Sequence, residues 1–176
     1  MKNIVLLGFM GTGKSAVGRR LATAFHYQFI DTDQVIEDKT HKRVAEIFSE
    51  QGEETFRRLE SEAVFDLAER TGCVISTGGG IVLDSKNLDL LQKNGILVLL
   101  RCRPEVIFKR VQKRAGQRPL LQKADPLSEI KRLLAEREPF YRRADITLDT
   151  SDMNLDDVVQ QIKRKVLEIE GRESTA

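Results

Sequence analysis

The residues with the clearest chemistry lie near the start of the chain, directly after a short apolar run. Residues 8–15 read GFMGTGKS and match the phosphate-loop pattern G-x-x-x-x-G-K-[ST] at every fixed position. Glycines let backbone N–H groups reach phosphate oxygens, and the helix that follows points its positive end at the same anion. Lys14 supplies charge for the outer phosphates and the Ser15 hydroxyl can bind Mg²⁺. The pattern predicts a site for a nucleoside triphosphate with Mg²⁺, without naming the phosphate acceptor.

Two carboxylates follow the second predicted strand, where Asp31 and Asp33 flank Thr32. In an extended chain, residues two apart share a face. One carboxylate can then hold the metal through water, while the other accepts the proton of an attacking hydroxyl, which is worth about 10²–10⁴ in rate. The alternative is that either aspartate caps a helix or a turn.

Three glycines, residues 78–80, follow the third predicted strand. They indicate either a backbone surface kept open for a ligand or a flexible turn. The strand itself does not end in an acidic residue, and the chain lacks the D-x-x-G and N-K-x-D motifs. These absences disfavour a motor-type nucleotidase and a switch GTPase.

Two arginines become informative only as a pair. Arg57 borders the apolar stripe of a predicted helix, where Glu60 can brace it, whereas Arg58 is the better candidate for a solvated charge. Arg137 precedes a helix break predicted at Pro139. Each arginine alone is typical of a surface, but together they could bind one carboxylate, which guanidinium groups hold bidentately.

Residues 113–124 have little periodicity and are predicted to form a mobile loop that contains Arg118. A closing arginine could neutralise charge on a transferring phosphoryl group and exclude water. Arg110 and Arg114 could stack on a base or contact phosphates, and nothing local favours either role.

The elements that must position these residues alternate between apolar runs and helical periodicity. Strands are predicted at 3–7, 27–30, 73–76, 96–100 and 145–149, with helices between them, two of which are separated by Gly52. This alternation predicts a doubly wound, three-layer α/β/α fold with a five-stranded parallel sheet. Ligands of such sheets bind beyond the carboxyl ends of the strands, so the three polar segments should share one crevice.

Size and composition are those of one globular domain spanning residues 1–176, with 40% hydrophobic and 32% charged residues. The net charge of +2, without a basic block, does not favour a nucleic-acid partner. Cys73 and Cys102 each lie in an apolar run, as expected of buried, reduced thiols in a cytoplasmic protein. We expect no export signal, no membrane span and a monomer, because no cleavage site, span-length apolar stretch or additional apolar stripe is found.

In these motifs and their order, the chain resembles the shikimate kinases, a family in the nucleoside-monophosphate-kinase-like group of phosphate-loop enzymes. The resemblance extends from residue 4 to about 167 and is carried by residues 8–15, 29–33, 52–60, 76–80, 118–121 and 137–141. It implies transfer of the ATP γ-phosphoryl group to the 3-hydroxyl of shikimate, giving shikimate 3-phosphate and ADP, a step toward chorismate and aromatic amino acids.

The resemblance also implies residue roles. Arg57 and Arg137 would bind the shikimate carboxylate and Asp33 its hydroxyls, with Gly79 also in contact. The phosphates would lie on Gly11, Thr12, Gly13, Lys14, Ser15 and Ala16, with Mg²⁺ held by Ser15 directly and by Asp31 through water. Lys14, Asp33 and the lid arginine Arg118, which also contacts ATP, would act in catalysis, and Met153 or Asn154 would contact adenine. The substrate region would span about 32–60 and the lid about 112–124.

Two other functions remain open. Gluconate kinase also acts on an acceptor with a carboxylate and hydroxyls, but the combination of residues 31–33, Arg57 and the triple glycine favours shikimate. A regulatory nucleotide-binding module without chemistry is disfavoured by the presence of Lys14, Ser15 and Asp33.

Overall fold

Five parallel strands form the centre of the protein, whose computed structural model describes residues 2–113 and 124–173. The strands are β1 (Asn3–Leu7), β2 (Gln28–Asp31), β3 (Cys73–Ser76), β4 (Gly95–Arg101) and β5 (Ile146–Asp149), in the order β2-β3-β1-β4-β5. All four strand pairings are parallel. The predicted five-stranded parallel sheet is therefore confirmed.

Helices cover both faces of this sheet. They are α1 (Lys14–Phe25), α2 (Thr32–Thr40), α3 (Val44–Ala68), α4 (Ser85–Lys93), α5 (Pro104–Gln112), α6 (Pro126–Tyr141) and α7 (Leu155–Glu173), with a 3-10 turn at Ile81–Leu83. Alternate residues of β1 enter different cores, because Ile4 and Leu6 pack with α1 and α7 whereas Val5 and Leu7 pack with α3 and α4. The three-layer α/β/α architecture is confirmed.

Two local predictions need correction, and one is confirmed. Thr32 and Asp33 do not extend β2 but open α2, because the Asp31 side chain caps that helix. The predicted stop at Gly52 is confirmed, because Gly52 has the non-helical angles φ 81° and ψ 172° and divides the α3 span into two helical stretches that meet at a kink. The predicted break at Pro139 is wrong, since α6 runs on to Tyr141. A proline so near the helix end removes only one backbone bond, and the N–H of Arg142 still donates to Glu138.

The carboxyl edge of the sheet gathers the predicted site segments. Residues 8–15 follow β1, Asp31 ends β2 and residues 77–80 follow β3. Cys73 and Cys102 are buried and free, as expected. None of the helices in the described ranges is long and apolar enough to cross a membrane.

Candidate active site

The loop between β1 and α1 has the backbone conformation that its glycines permit. Gly8, Gly11 and Gly13 have φ values of 143°, 77° and 100°. At Gly8 a Cβ would lie 2.5 Å from the carbonyl oxygen of Leu100, so both space and backbone conformation require glycine. Gly13 has open space around it, and only its left-handed conformation, which starts α1, requires glycine.

Lys14 folds back over this loop. Its Nζ donates to the carbonyl oxygens of Gly8 at 2.7 Å and Phe9 at 3.1 Å. Thr12 Oγ1 donates to the same Phe9 carbonyl at 2.8 Å. The loop is thus stabilised by its own side chains, and the Lys14 ammonium lies beside the first turn of α1, where phosphates bind in such loops.

Ser15 and Asp31 form an oxygen-donor pair beside the loop. Ser15 Oγ donates to Asp31 Oδ2 at 2.9 Å, while Asp31 Oδ1 accepts from the Asp33 backbone N–H at 3.2 Å. Asp31 therefore caps α2, as one of the two interpretations predicted, and also contacts Ser15. Its role in holding a metal through water stays a prediction. One hydroxyl and one carboxylate fit Mg²⁺, which takes few protein oxygens when phosphates supply the rest. Accordingly, no cluster of three or more His, Cys, Asp or Glu side chains suited to a metal occurs in the described part of the chain.

The first residue of the glycine run (residues 78–80) separates the carboxylates of the half-buried Asp33 and the buried Glu60. A Cβ on Gly78 would lie 2.6 Å from Asp33 Oδ1 and 2.8 Å from Glu60 Oε1. The Gly78 N–H itself donates to Thr32 Oγ1 at 2.8 Å. This backbone is held firmly and approached closely by side chains, which favours an open ligand surface over a flexible turn.

The other two glycines accommodate the paired arginines. A Cβ on Gly79 would lie 3.1 Å from Arg137 Nη1, and one on Gly80 would overlap Nη1 and Cζ of Arg57. Arg57 and Arg137, which come from α3 and α6, are therefore brought to the same short backbone segment. This is what the hypothesis that both bind one carboxylate, here called the carboxylate clamp, requires.

Arg57 is held by two glutamates of its own helix. Its Nη1 donates to Glu60 Oε2 at 2.5 Å, and its Nε and Nη2 donate to Glu53 Oε1 at 3.2 and 3.0 Å. The predicted brace by Glu60 is confirmed. Arg58 instead pairs with Glu62 at the surface, as expected.

Arg137 lies over an aromatic ring of the phosphate loop. Its Cζ is 4.8 Å from the centroid of Phe9, a cation–π distance. Its Nη1 is buried without a hydrogen-bond partner among the described residues. Phe9 occupies a variable position of the phosphate-loop pattern, so no sequence signal indicated that it links the two halves of the site.

Burial dominates the electrostatics of the two carboxylates. It raises the pKa of Asp33 to about 6, with Asp31 and Glu37 adding to the rise and Lys14 and Arg57 opposing it. It raises the pKa of Glu60 to about 7, against the lowering effect of Arg57 and Arg137. Asp33 Oδ1 and Glu60 Oε1 also have no hydrogen-bond partner within the described ranges. Together with Arg137 Nη1, these atoms could bind a ligand that carries hydroxyl groups and an anion.

Arg110, to which the sequence gave no role, joins the phosphate loop to the segment after β5. Its Nη1 donates to the Gly11 carbonyl at 3.4 Å and its Nη2 to the Thr150 carbonyl at 3.1 Å. Asn154 caps α7 by accepting from the Asp157 N–H at 2.9 Å. Its predicted contact with adenine stays a prediction.

Ala16 is exposed on the first turn of α1. Arg114, Arg118 and most of the predicted lid lie outside the described residues.

Comparison with known proteins identifies the relatives of this arrangement. A family model described as shikimate kinase matches residues 10–167. The chain belongs to the shikimate kinase family. A shikimate kinase of Caldanaerobacter subterraneus is 49% identical over 172 residues, covering 98% of this chain and 100% of the relative. One of Pelotomaculum thermopropionicum is 51% identical over 162 residues, covering 92% and 94%.

Solved structures separate this family from others with its fold. A shikimate kinase from Acinetobacter baumannii in complex with shikimate has a TM-score of 0.90 and 36% identity, covering 96% of this chain and 94% of that one. A gluconokinase from Sinorhizobium meliloti has a TM-score of 0.71 at 21% identity, covering 99% and 96%. The likeness to the gluconokinase shows a shared fold alone. The family model and the curated relatives confirm the resemblance to shikimate kinases that the sequence indicated.

Proposed function

We propose that this chain transfers the γ-phosphoryl group of ATP to the 3-hydroxyl of shikimate, giving shikimate 3-phosphate and ADP on the route to chorismate and aromatic amino acids. Membership of the shikimate kinase family makes the chain an ATP-dependent kinase that works with Mg²⁺. The observation that carries the choice of acceptor is the partly buried cluster of charged side chains beside the phosphate loop. There, two carboxylates and two guanidinium groups surround the glycine run.

On the acceptor side, we assign the shikimate carboxylate to Arg57 and Arg137 and the hydroxyls to Asp33. Guanidinium groups bind carboxylates bidentately, and Arg137 Nη1 is a donor that has no hydrogen-bond partner among the described residues. Asp33 Oδ1 is a buried acceptor that also has no hydrogen-bond partner among the described residues, so it could accept a hydrogen bond from a hydroxyl group. Gly79 lies against Arg137 and offers its backbone to the same ligand.

On the donor side, backbone N–H groups and the start of α1 would hold the ATP phosphates. The residues assigned to this role are Gly11, Thr12, Gly13, Lys14, Ser15 and Ala16. Ser15 Oγ would bind Mg²⁺ directly and Asp31 would bind it through water, which their contact at 2.9 Å supports. When bound, the ion neutralises negative charge on the phosphate oxygens.

The chemical step needs a proton acceptor and compensation of charge. Asp33 would take the proton of the 3-hydroxyl on a carboxylate oxygen; with a pKa of about 6 it is ionised at neutral pH yet more basic than an exposed aspartate. Lys14 would exchange its carbonyl partners for phosphate oxygens and stabilise the transferring group. Arg118, as the lid arginine and an ATP contact, and Met153 or Asn154, as the adenine contact, stay predictions.

The organisation of the protein is part of the same proposal. We propose a single domain with a substrate region at about 32–60 and a lid at about 112–124, acting as a cytoplasmic monomer on a small molecule. α2 and the first part of α3 lie within the proposed substrate region.

A coupled ADP-release assay tests the function. Shikimate, gluconate and a series of nucleoside monophosphates are offered separately with Mg²⁺–ATP, and the product is identified by phosphorus NMR. We expect ADP release with shikimate and a phosphate ester at its 3-position. ADP release with gluconate alone would assign the chain gluconate kinase activity. If none of the acceptors gave ADP release, kinase activity on shikimate, gluconate and the nucleoside monophosphates would be refuted.

A further inference from the structure

The guanidinium of Arg57 already holds an exposed carboxylate of the protein itself, that of Glu53. An arginine binds a carboxylate most strongly across an edge that presents two N–H groups. Nε and Nη2 form such an edge, and both donate to Glu53 Oε1, at 3.2 and 3.0 Å. An internal carboxylate therefore occupies one binding edge of the residue assigned to the substrate carboxylate.

The opposite side of the same guanidinium is closed. Nη1 donates to Glu60 Oε2 at 2.5 Å, and the backbone of Gly80 lies so near that a Cβ there would overlap Nη1 and Cζ and lie 2.7 Å from Nη2, which leaves Nε as the atom farthest from this backbone. The Nε–Nη2 edge is thus the one that an incoming carboxylate can take without displacing a buried group.

The two glutamates on Arg57 differ in how firmly they are held. The Glu60 side chain is 1% exposed and the Glu53 side chain is 66% exposed. Glu53 also directly follows the non-helical Gly52, so it starts a new helical stretch with solvent on one side. Exposed glutamate–arginine pairs four residues apart are weak, because water competes for both charges. A ligand can displace Glu53 far more readily than Glu60.

The second arginine of the carboxylate clamp, Arg137, differs from Arg57 in having an unpartnered donor. Arg137 Nη1 is buried and has no hydrogen-bond partner within the described ranges. One arginine of the pair has an open donor, and the other is occupied by an exposed carboxylate of the protein itself.

We propose that Glu53 is an internal competitor of the substrate carboxylate on Arg57 and thereby lowers the affinity of the free protein for anionic acceptors. This inference rests on the proposed function, in which Arg57 binds the shikimate carboxylate. On binding, the substrate replaces one carboxylate by another, so Arg57 keeps its bonds and Glu53 turns to water. Glu53 then determines affinity without taking part in the phosphoryl transfer.

Calorimetric titration of the full, nucleotide-free chain with shikimate tests the competition. Glu53→Gln removes the competing charge and should lower the Kd for shikimate about 2–5-fold, the size expected for an exposed ion pair. Glu54→Gln is the matched control, because it makes the same charge change at the adjacent, exposed position, which is not among the described partners of Arg57. Its Kd should equal that of the unmodified chain.

A second titrant separates competition from a general opening of the site. The methyl ester of shikimate lacks the carboxylate charge, so Glu53→Gln should not improve its binding. An equal gain in affinity for the ester and for shikimate would overturn the proposal. An unchanged or higher Kd for shikimate in Glu53→Gln would also overturn it, because Glu53 would then have no effect on binding or would orient Arg57 for it. If the unmodified chain neither binds shikimate nor releases ADP with it, the proposed function fails as well. If that chain turns over shikimate but Glu53→Gln leaves the Kd unchanged, only the proposal that Glu53 competes for Arg57 is refuted.

Discussion

The phosphate loop and the glycine run after β3 line the same crevice, but their polar groups are in different states. In the loop, Lys14 Nζ bonds to two backbone carbonyls and Ser15 Oγ bonds to Asp31. Around the glycine run, Asp33 Oδ1, Glu60 Oε1 and Arg137 Nη1 are buried without partners among the described residues. The donor half is satisfied before any ligand binds, whereas the acceptor half holds charges that a ligand would satisfy.

This difference predicts opposite relations between stability and activity. Unsatisfied buried charges destabilise a folded protein and are retained where function needs them. Neutralising a carboxylate of the acceptor half should therefore raise the free energy of unfolding while activity falls. Removing a bonded group of the donor half should lower both.

The largest effect on this comparison is expected from Asp33→Asn. We expect kcat to fall about 10²–10⁴-fold, as for loss of a positioned base. The folded pKa of Asp33 is raised from 3.8 to about 6, so its ionisation penalises the folded state above that pH. Removing the charge should raise the free energy of unfolding at pH 8 by about 1–3 kcal/mol. Steady-state kinetics and urea denaturation measure the two changes; a nearly unchanged kcat would make Asp33 a positioning group only, and a loss of stability would break the comparison.

Arg57→Ala comes next. It should weaken shikimate binding by about 2–5 kcal/mol, the cost of removing one partner of a desolvated charge contact. Unlike Asp33→Asn, it should also lower stability, because the buried Glu60 carboxylate loses its partner. Arg58→Ala is the control, since Arg58 pairs only at the surface with Glu62 in the described structure. Calorimetry giving the same shikimate Kd for both variants would remove the carboxylate clamp.

A smaller effect is expected on the donor side from Lys14→Met. We expect kcat to fall about 10²–10³-fold, as for loss of one preorganised donor to a developing charge. The carbonyls of Gly8 and Phe9 lose their charged donor, so stability should fall by about 1–3 kcal/mol. Thermal and urea unfolding beside single-turnover rates provide the test. A variant more stable than the unmodified chain would contradict the view that this half is already satisfied.

The smallest effect concerns pH and stability alone. The Glu60 pKa rises from 4.5 to about 7 on folding, so the folded state binds more protons than the unfolded state between these values. Stability should therefore fall as pH rises from about 4.5 to 7, by at most about 1.4 kcal/mol per pH unit from this group. Glu60→Gln should flatten the curve of unfolding free energy measured at pH 5, 6, 7 and 8. Parallel curves for variant and unmodified chain would show that Glu60 does not titrate in this way.

Much of the site could be predicted because its motifs lie at strand ends. The carboxyl edge of a parallel sheet brings such segments together in whatever order the strands occur. The errors arose where neighbouring groups compete for the backbone. The Asp31 side chain starts α2 where an extended chain was expected, and α6 tolerates Pro139 because the residue lies in its last turn.

The sequence by itself determined the phosphate loop, because all the fixed positions of its pattern lie within residues 8–15. It also determined the family, because several motifs occur together in one order. Only the tertiary structure decided that Arg57 and Arg137 face one glycine run and that Arg137 stacks on Phe9. Such contacts depend on how α3 and α6 pack against the sheet and on which side-chain rotamers that packing leaves open, and no local pattern encodes either.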